Sequence, residues 1–271
     1  MSELLEINDK EVEHLAWIHS NKFTIPDVFG QRFFKSSYRY ACRVLRKYYL
    51  DKGFLHMVKA ESTTFQDSVY SLTAGAIRSL DARNKILVRS TKYPVKVNPY
   101  EREHDIKVQE IRTAIELSQD LRGVFWVSDF EMRSGISPMV KARFVDGSLD
   151  KEKWRSNGMN PNNTGRRTPD GYFEADLEGQ REAFVLEFEH HPYDDFKFNR
   201  MTWNLKHYFS DATKLVVSND RKNAERMIRA LQIRIKSGEQ EQWFVSDLEK
   251  IKTLSFKMIW HQLGHPLQGG E

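Results

Sequence analysis

Three acidic side chains in the second half of the chain have the types and spacing of a metal-dependent cutting centre. Asp170 follows a proline, and Glu187 and Glu189 alternate with large apolar residues a little later in the chain. If Glu178-Gly179 forms a two-residue hairpin turn, Asp170 lies opposite Glu187, and all three carboxylates share one sheet face. Two such carboxylates could hold Mg2+ or Mn2+, which would polarise a phosphate and activate water.

The same acids also fit a simpler interpretation. Like charges that face each other across two strands are destabilising, so they call for a bound cation, a raised pKa or a basic side chain between them. A solvent-exposed acidic strand face is the alternative, and the residues by themselves favour it over a metal centre. A register shift of one residue would also turn Glu187 and Glu189 to the apolar side of the hairpin.

Basic residues are concentrated near the amino terminus. The net charge of the whole chain is only +4, which says little about its partners. From Gln31 to Ala60, however, eight Lys or Arg residues stand against a single acid, Asp51. The eight are Arg32, Lys35, Arg39, Arg43, Arg46, Lys47, Lys52 and Lys59. This bias is typical of a surface that faces phosphates.

Apolar spacing and capping residues predict three helices around this basic segment. The first covers Asp9–Ser20 with Asn8 as its N-cap, and the second is capped by Thr24. The third begins at the serines of positions 36 and 37 and ends at Gly53. Its inward stripe is predicted to be Ala41, Val44, Leu45, Tyr48 and Tyr49. Its opposite face carries Arg39, Tyr40, Arg43 and Lys47.

Two strand-like runs, residues 54–60 and 67–73, follow the third helix and precede a helix over residues 74–83. Three helices and a β-ribbon in this order predict a winged helix-turn-helix, whose third helix enters the major groove of duplex DNA. The basic face of that helix, with Tyr40, would then contact base edges or phosphates, and Lys59 would reach phosphate from the wing. The alternative is an ordinary solvated helix face.

The remainder of the chain reads as a second domain. Residues 92–103 contain two prolines and no periodicity, which indicates a connection, so the predicted domains are residues 1–98 and 99–271. An amphipathic helix over residues 104–121 is followed by alternating strands and helices, which predicts an α+β protein with an α/β layer structure in its second half.

Four short motifs resemble a known family. They are VYSLTAGAIRSL at Val69 to Leu80, EHD at Glu103 to Asp105, PDG at Pro169 to Gly171, and LEFEH at Leu186 to His190. In order and spacing the chain resembles the replication-relaxation proteins of bacterial plasmids and other mobile elements. The resemblance implies a winged helix-turn-helix followed by a domain similar to the PD-(D/E)xK nuclease fold.

Within that resemblance, Asp170 matches the first metal-binding acid and Glu187 the second. Glu110 or Glu116 could supply an additional acid. The position of the catalytic lysine is occupied by Glu189, which cannot offer the positive charge that stabilises a pentavalent phosphate. Lys197 or Lys206 could reach the site instead. The expectation is therefore a nuclease-like domain that has lost its chemistry.

The leading expectation is a DNA-binding accessory or regulatory protein of a mobile element, acting on double-stranded DNA with a relaxase or replication initiator as partner. The alternatives are a Mg2+- or Mn2+-dependent DNA endonuclease and a transcriptional repressor that binds DNA as a homodimer. The single Cys42 excludes intramolecular disulfides and multi-thiolate zinc sites. Without a long apolar run or a signal-peptide pattern, the expected location is the cytoplasm, away from membranes.

Overall fold

The computed structural model describes residues 4–35, 38–58, 68–87, 99–151, 154, 168–189, 195–235, 237–253, 255–258 and 260–263. Helices and a mixed β-sheet make it an α+β protein, as predicted. The chain divides into two compact units that interleave in sequence. One takes Met1–Gln109 and Phe130–Pro161, and the other takes Glu110–Asp129 and Asn162–Glu271. A domain boundary between residues 98 and 99 stays a prediction.

The first unit starts with helices and a two-stranded antiparallel ribbon. Its first helices are α1 (Asp9–Ser20), α2 (Pro26–Phe34) and α3 (Tyr38–Arg43). The α3 helix continues as a π-helical segment over Val44–Leu50. The ribbon strands are β1 (Leu55–Val58) and β2 (Val69–Leu72), and they are followed by α4 (Ala74–Ala82).

The α1 helix begins where its capping residues predict. The side chain of Asn8 accepts a hydrogen bond from the Glu11 amide at 2.9 Å, and the Glu11 carboxylate accepts one from the Asn8 amide at 3.1 Å. This reciprocal pair satisfies two amides that the helix itself leaves without partners.

The predicted cap of α2 is wrong. Its N-cap is Ile25, which makes no side-chain capping bond, and Pro26 occupies the first turn. Thr24 instead forms a β-bridge, exchanging two 2.9 Å backbone hydrogen bonds with Tyr70 of β2. Thr24 therefore adds a third extended segment to the ribbon and does not cap a helix. The α2 helix can begin without a side-chain cap because Pro26, in its first turn, has no amide hydrogen that needs an acceptor.

The inward stripe of the third helix is confirmed except at Tyr48. Ala41, Val44, Leu45 and Tyr49 are buried, whereas Tyr48 is 48% exposed. In a π-helical segment the hydrogen bonds join residue i to residue i+5, so the turn is wider than in an α-helix. Tyr49, rather than Tyr48, then lies above Val44.

The α5 helix spans Pro99–Leu117 and so differs from the prediction at both ends. Residues 99–103, predicted to be a connection, are helical because a proline fits the first turn, where amides have no intrahelical partner. At the other end the chain turns after Leu117, and the next strand begins at Leu121. Two short helices, α6 (Asp129–Arg133) and α7 (Pro138–Val145), were not predicted.

The second unit contains a six-stranded sheet whose strands follow one another in chain order. They are β3 (Leu121–Ser128), β4 (Gly171–Leu177), β5 (Gln180–Glu189), β6 (Thr213–Ser218), β7 (Trp243–Asp247) and β8 (His261–Gln262). The first three are antiparallel, the central three are parallel, and β8 is antiparallel to β7.

Helices connect the parallel strands of this sheet. They are α8 (Asp195–Tyr208) between β5 and β6, and α9 (Arg221–Arg234) between β6 and β7. Parallel neighbours require such crossover connections because a hairpin turn would reverse the strand direction. A last helix, α10 (Leu248–Thr253), follows β7. Within the described part of the chain, no helix combines the length and apolar character needed to cross a membrane.

Candidate functional site

The predicted DNA-binding side chains of the third helix all point to solvent. Arg39, Tyr40, Arg43 and Lys47 are exposed. They are opposite the buried stripe that holds the helix on the core of the first unit. We call these four residues the recognition face. The predicted contact at Lys59 and the serine caps at positions 36 and 37 lie outside the described residues.

Two tyrosines connect the recognition face to its surroundings. The ring of Tyr40 packs edge-on against Phe34 of α2, with centroids 4.8 Å apart. The hydroxyl of Tyr70, on strand β2, accepts a hydrogen bond from Arg46 Nε at 3.3 Å. This bond raises the pKa of Arg46 above its usual value. The π-helical segment and the ribbon are therefore joined beside the exposed cations.

The predicted hairpin of the second unit is confirmed in both turn and register. Glu178 and Gly179 have φ angles of 54° and 84°, which is the left-handed pair of a two-residue hairpin turn. Gly171 pairs with Leu186 and Tyr172 with Val185. Continuing this register places Asp170 opposite Glu187, as the sequence predicts.

Burial distinguishes these acids from an ordinary acidic surface. Asp170 is 8% exposed and Glu187 is 2% exposed, while Glu189 is half-buried. The expectation of a solvent-exposed acidic strand face is therefore wrong for Asp170 and Glu187. Asp170 Oδ2 accepts a 2.7 Å hydrogen bond from the Phe188 amide, which fixes its carboxylate against β5.

The two buried acids could take part in binding a divalent cation. Buried carboxylates are costly unless a cation or hydrogen bonds offset their charge. Asp170 and Glu187 could supply oxygen ligands, the kind that Mg2+ and Mn2+ prefer. Among the described residues, however, no group of three or more His, Cys, Asp or Glu side chains has metal-binding geometry. Two acids are therefore the core of the candidate centre.

The additional acids named from the sequence form ion pairs within the second unit. Glu110 forms an ion pair with Lys252 at 2.8 Å, and Glu116 forms one with Arg112 at 2.7 Å. Either glutamate would have to exchange its cation for a metal before it could join Asp170 and Glu187.

The replacement lysines are not brought to the acids by any contact described. Lys206 forms an ion pair with Glu239. Lys197 lies on α8, but its side chain falls outside the described part of the structure. The half-buried Glu189 thus keeps the position at which the nuclease pattern has its lysine.

Sequence reasoning missed a buried lysine on the same sheet. Lys214 is almost fully buried, and its Nζ donates hydrogen bonds to Ser210 O and Gln242 Oε1, both at 2.9 Å. Burial lowers the pKa of its ammonium group. Both partners precede parallel strands, whereas Glu187 lies near the carboxyl end of β5, so Lys214 serves the opposite end of the sheet. The sequence signal that could have indicated this buried lysine is its position directly before the apolar residues of β6.

The chain has no match among the known proteins with which it was compared. No family model, no curated protein and no solved structure matches it.

Proposed function

We propose that the protein is a DNA-binding accessory or regulatory protein of a mobile genetic element, with a winged helix-turn-helix in its first unit. The observation that carries this proposal is the recognition face, in which three cations and a tyrosine share the exposed side of one helix beside an antiparallel ribbon. Duplex DNA is the proposed ligand, and a relaxase or replication initiator is the proposed protein partner.

Physical chemistry supports this use of the recognition face. In a winged helix-turn-helix the third helix lies in the major groove and neighbouring elements hold the phosphates. Arginine can bind guanine in a bidentate manner, and lysine neutralises phosphate as a point charge. The Thr24 bridge to Tyr70 adds a third extended segment to the ribbon. Such a segment stiffens the support behind the helix.

The first test is the salt dependence of duplex binding. Replacing Arg43 and Lys47 together by alanine removes two exposed cations, so we expect weaker binding. We also expect the slope of log K against log salt to flatten by about one unit for each lost phosphate contact. Fluorescence anisotropy with a labelled duplex pool at several salt concentrations measures both quantities.

A matched control for this test is Lys10→Ala combined with Lys85→Ala, which removes two exposed positive charges from the same unit outside the recognition face. The control should keep nearly the slope of the parent protein. A slope unchanged in the Arg43 and Lys47 variant would remove the recognition face from the interface.

A second candidate function is a metal-dependent DNA endonuclease. The observation that favours it is the burial of Asp170 and Glu187 at opposed positions of one hairpin. A divalent ion there would polarise a phosphate oxygen and activate water. The glutamate at position 189 weighs against it, because a carboxylate would repel the negative charge that develops on the phosphate.

Nicking of supercoiled plasmid in Mg2+ or Mn2+ separates the two functions. We expect the parent protein to leave the plasmid intact in both metals while it still shifts DNA in a gel, because Glu189 replaces the lysine. Glu189→Lys should increase any nicking, since it returns a cation to the acids. Cleavage by the parent that disappears in an Asp170→Asn/Glu187→Gln variant would instead establish the endonuclease.

A further inference from the structure

A second basic surface lies on the second unit, away from the residues that the sequence singled out. The α9 helix carries five Lys or Arg residues against one acid, Glu225. The five are Arg221, Lys222, Arg226, Arg229 and Arg234. The excess of basic over acidic residues in α9 is similar to that of the third helix of the first unit.

The cations of α9 are available to an external anion. Lys222, Arg226 and Arg229 are exposed, and none of them forms an ion pair within the described part of the chain. Only Arg221 among the exposed cations pairs with the acid of the helix, at 3.1 Å from Glu225. Unpaired arginines gathered on one helix face raise the local positive potential.

The neighbouring helix α8 presents exposed aromatic rings. Phe196 is 74% exposed and Trp203 is 50% exposed. With Arg200 and His207, which are also exposed, they occupy positions i, i+4, i+7 and i+11, which is one face of a helix. Met201, Leu205 and other apolar residues bury the opposite face. The aromatic stripe is therefore not required for the core.

The indole of Trp203 packs against a neighbouring side chain of the same helix. It stacks on the imidazole of His207, with centroids 4.2 Å apart and an interplanar angle of 22°. The His207 Nδ1 donates a 2.9 Å hydrogen bond to the Trp203 carbonyl oxygen. A ring oriented in this way loses little conformational entropy when another flat group binds to it.

The aromatic and basic faces meet at one contact between the helices. Arg234 Nε donates a 2.8 Å hydrogen bond to Asn199 Oδ1, and its guanidinium lies 5.5 Å from the centre of the Phe198 ring. Asn199 is exposed beside the aromatic stripe of α8. The α8 and α9 helices are thus in contact, and we call their exposed aromatic and basic residues the α8–α9 surface.

We propose that this surface binds single-stranded DNA, with bases stacking on Trp203 and Phe196 and phosphates contacting Arg200, Arg226 and Arg229. Single strands expose the faces of their bases, which a duplex hides, and they are bound by aromatic platforms combined with cationic side chains. A protein partner is disfavoured because the aromatic rings alternate with cations that only a densely charged anion would neutralise. The site does not depend on the recognition face of the first unit.

The test uses the full chain and a fluorescein-labelled oligothymidylate, followed by anisotropy. Trp203→Ala should weaken binding at least about fivefold, because stacking of one base on an aromatic ring is lost. Trp203→Phe should recover part of that affinity, since it restores a ring. Arg226→Ala/Arg229→Ala should weaken binding and flatten its salt dependence.

Two control variants make the outcome specific. Ile233→Ala removes an exposed apolar side chain of α9 that cannot stack, and it should leave the oligothymidylate affinity unchanged. Arg43→Ala/Lys47→Ala should lower duplex affinity while keeping oligothymidylate affinity. All of these side chains are exposed, and circular dichroism checks that each variant keeps its helical content.

Three results would overturn the proposal. They are an absence of oligothymidylate binding by the parent protein, equal affinity in Trp203→Ala, and loss of binding only in the Arg43 and Lys47 variant. The last result would assign single strands to the recognition face and leave duplex recognition standing. Absence of duplex binding by the parent protein, with oligothymidylate binding intact, would instead contradict the proposed function alone.

Discussion

Asp170 is held by the strand beside it, through the 2.7 Å bond from the Phe188 amide to its carboxylate. That bond orients the Asp170 carboxylate against β5. Glu187 is the more deeply buried of the two acids, and the half-buried Glu189 follows two residues later on the same strand. At the scale of residues, two acids of the second unit are thus buried at opposed positions of one hairpin.

The ionisation of the buried side chain of His14 should affect folding stability. It lies in an aromatic cluster of the first unit, and its Nδ1 is hydrogen bonded to the Tyr49 hydroxyl. The rings that surround it are Phe29, Phe33, Phe34 and Tyr49. Burial, helped by the nearby charge of Lys10, lowers the pKa of His14 to about 4.

Folding stability should therefore fall as the pH drops from about 6.5 to about 4. In that window the unfolded chain protonates this histidine while the folded protein keeps it neutral, so protons favour unfolding. The lowered pKa corresponds to roughly 3 kcal/mol of folding stability. This stability is fully present above the pKa of His14 in the unfolded chain, and it is lost as the pH falls to about 4. Urea unfolding at a series of pH values measures the loss.

The comparison for this prediction is His14→Phe, which cannot titrate. Its absolute stability should be lower, because the Tyr49 hydroxyl loses its buried partner. Its dependence on pH between 6.5 and 4 should nevertheless be shallower than that of the parent protein. An identical pH dependence in both proteins would show that His14 does not titrate in this window.

At the scale of elements, the hairpin is positioned by a close approach at its first residue. A Cβ atom on Gly171 would come within 2.3 Å of Cζ2 of Trp126 on the neighbouring strand. The Trp126 indole in turn stacks on Phe173, with centroids 5.3 Å apart and an interplanar angle of 10°. Close packing against the Trp126 indole therefore explains why position 171 holds a glycine.

Gly171→Ala should destabilise the second unit by about 1 to 3 kcal/mol, because the added methyl group overpacks a core that cannot yield cheaply. Thermal or urea unfolding of the variant measures the cost. Trp126→Phe removes the atoms that the methyl group would meet. The double variant should therefore lose less stability than the two single changes added together. Strictly additive losses would show that the indole is not the obstacle.

At the scale of the whole molecule, each compact unit has its own basic surface. The recognition face belongs to the first unit, and the aromatic and basic surface of α8 and α9 belongs to the second. One surface offers a single helix beside a ribbon, which suits a groove, and the other offers exposed rings, which suit unpaired bases. We expect variants in one unit to leave the surface of the other intact, so the two proposed activities can be tested separately.

Features that depend on near neighbours in the chain were predictable from sequence. The α1 cap joins residues three positions apart, and the hairpin register follows from its two-residue turn, so Asp170 and Glu187 could be paired in advance. The basic bias of α9 is also visible in the sequence, since Arg221–Arg234 contains five Lys or Arg residues and one acid.

Tertiary structure alone decided the environment of those residues. Alternation assigns Glu187 to a sheet face but does not decide its burial, which depends on what packs against that face. Thr24 does not cap α2 because its backbone amide and carbonyl groups pair with those of Tyr70, which lies far along the chain. Sequence patterns thus predicted the first helix, the ribbon strands and the hairpin pairing. Burial, and with it the chemical character of the acids, came from contacts between segments that are distant in sequence.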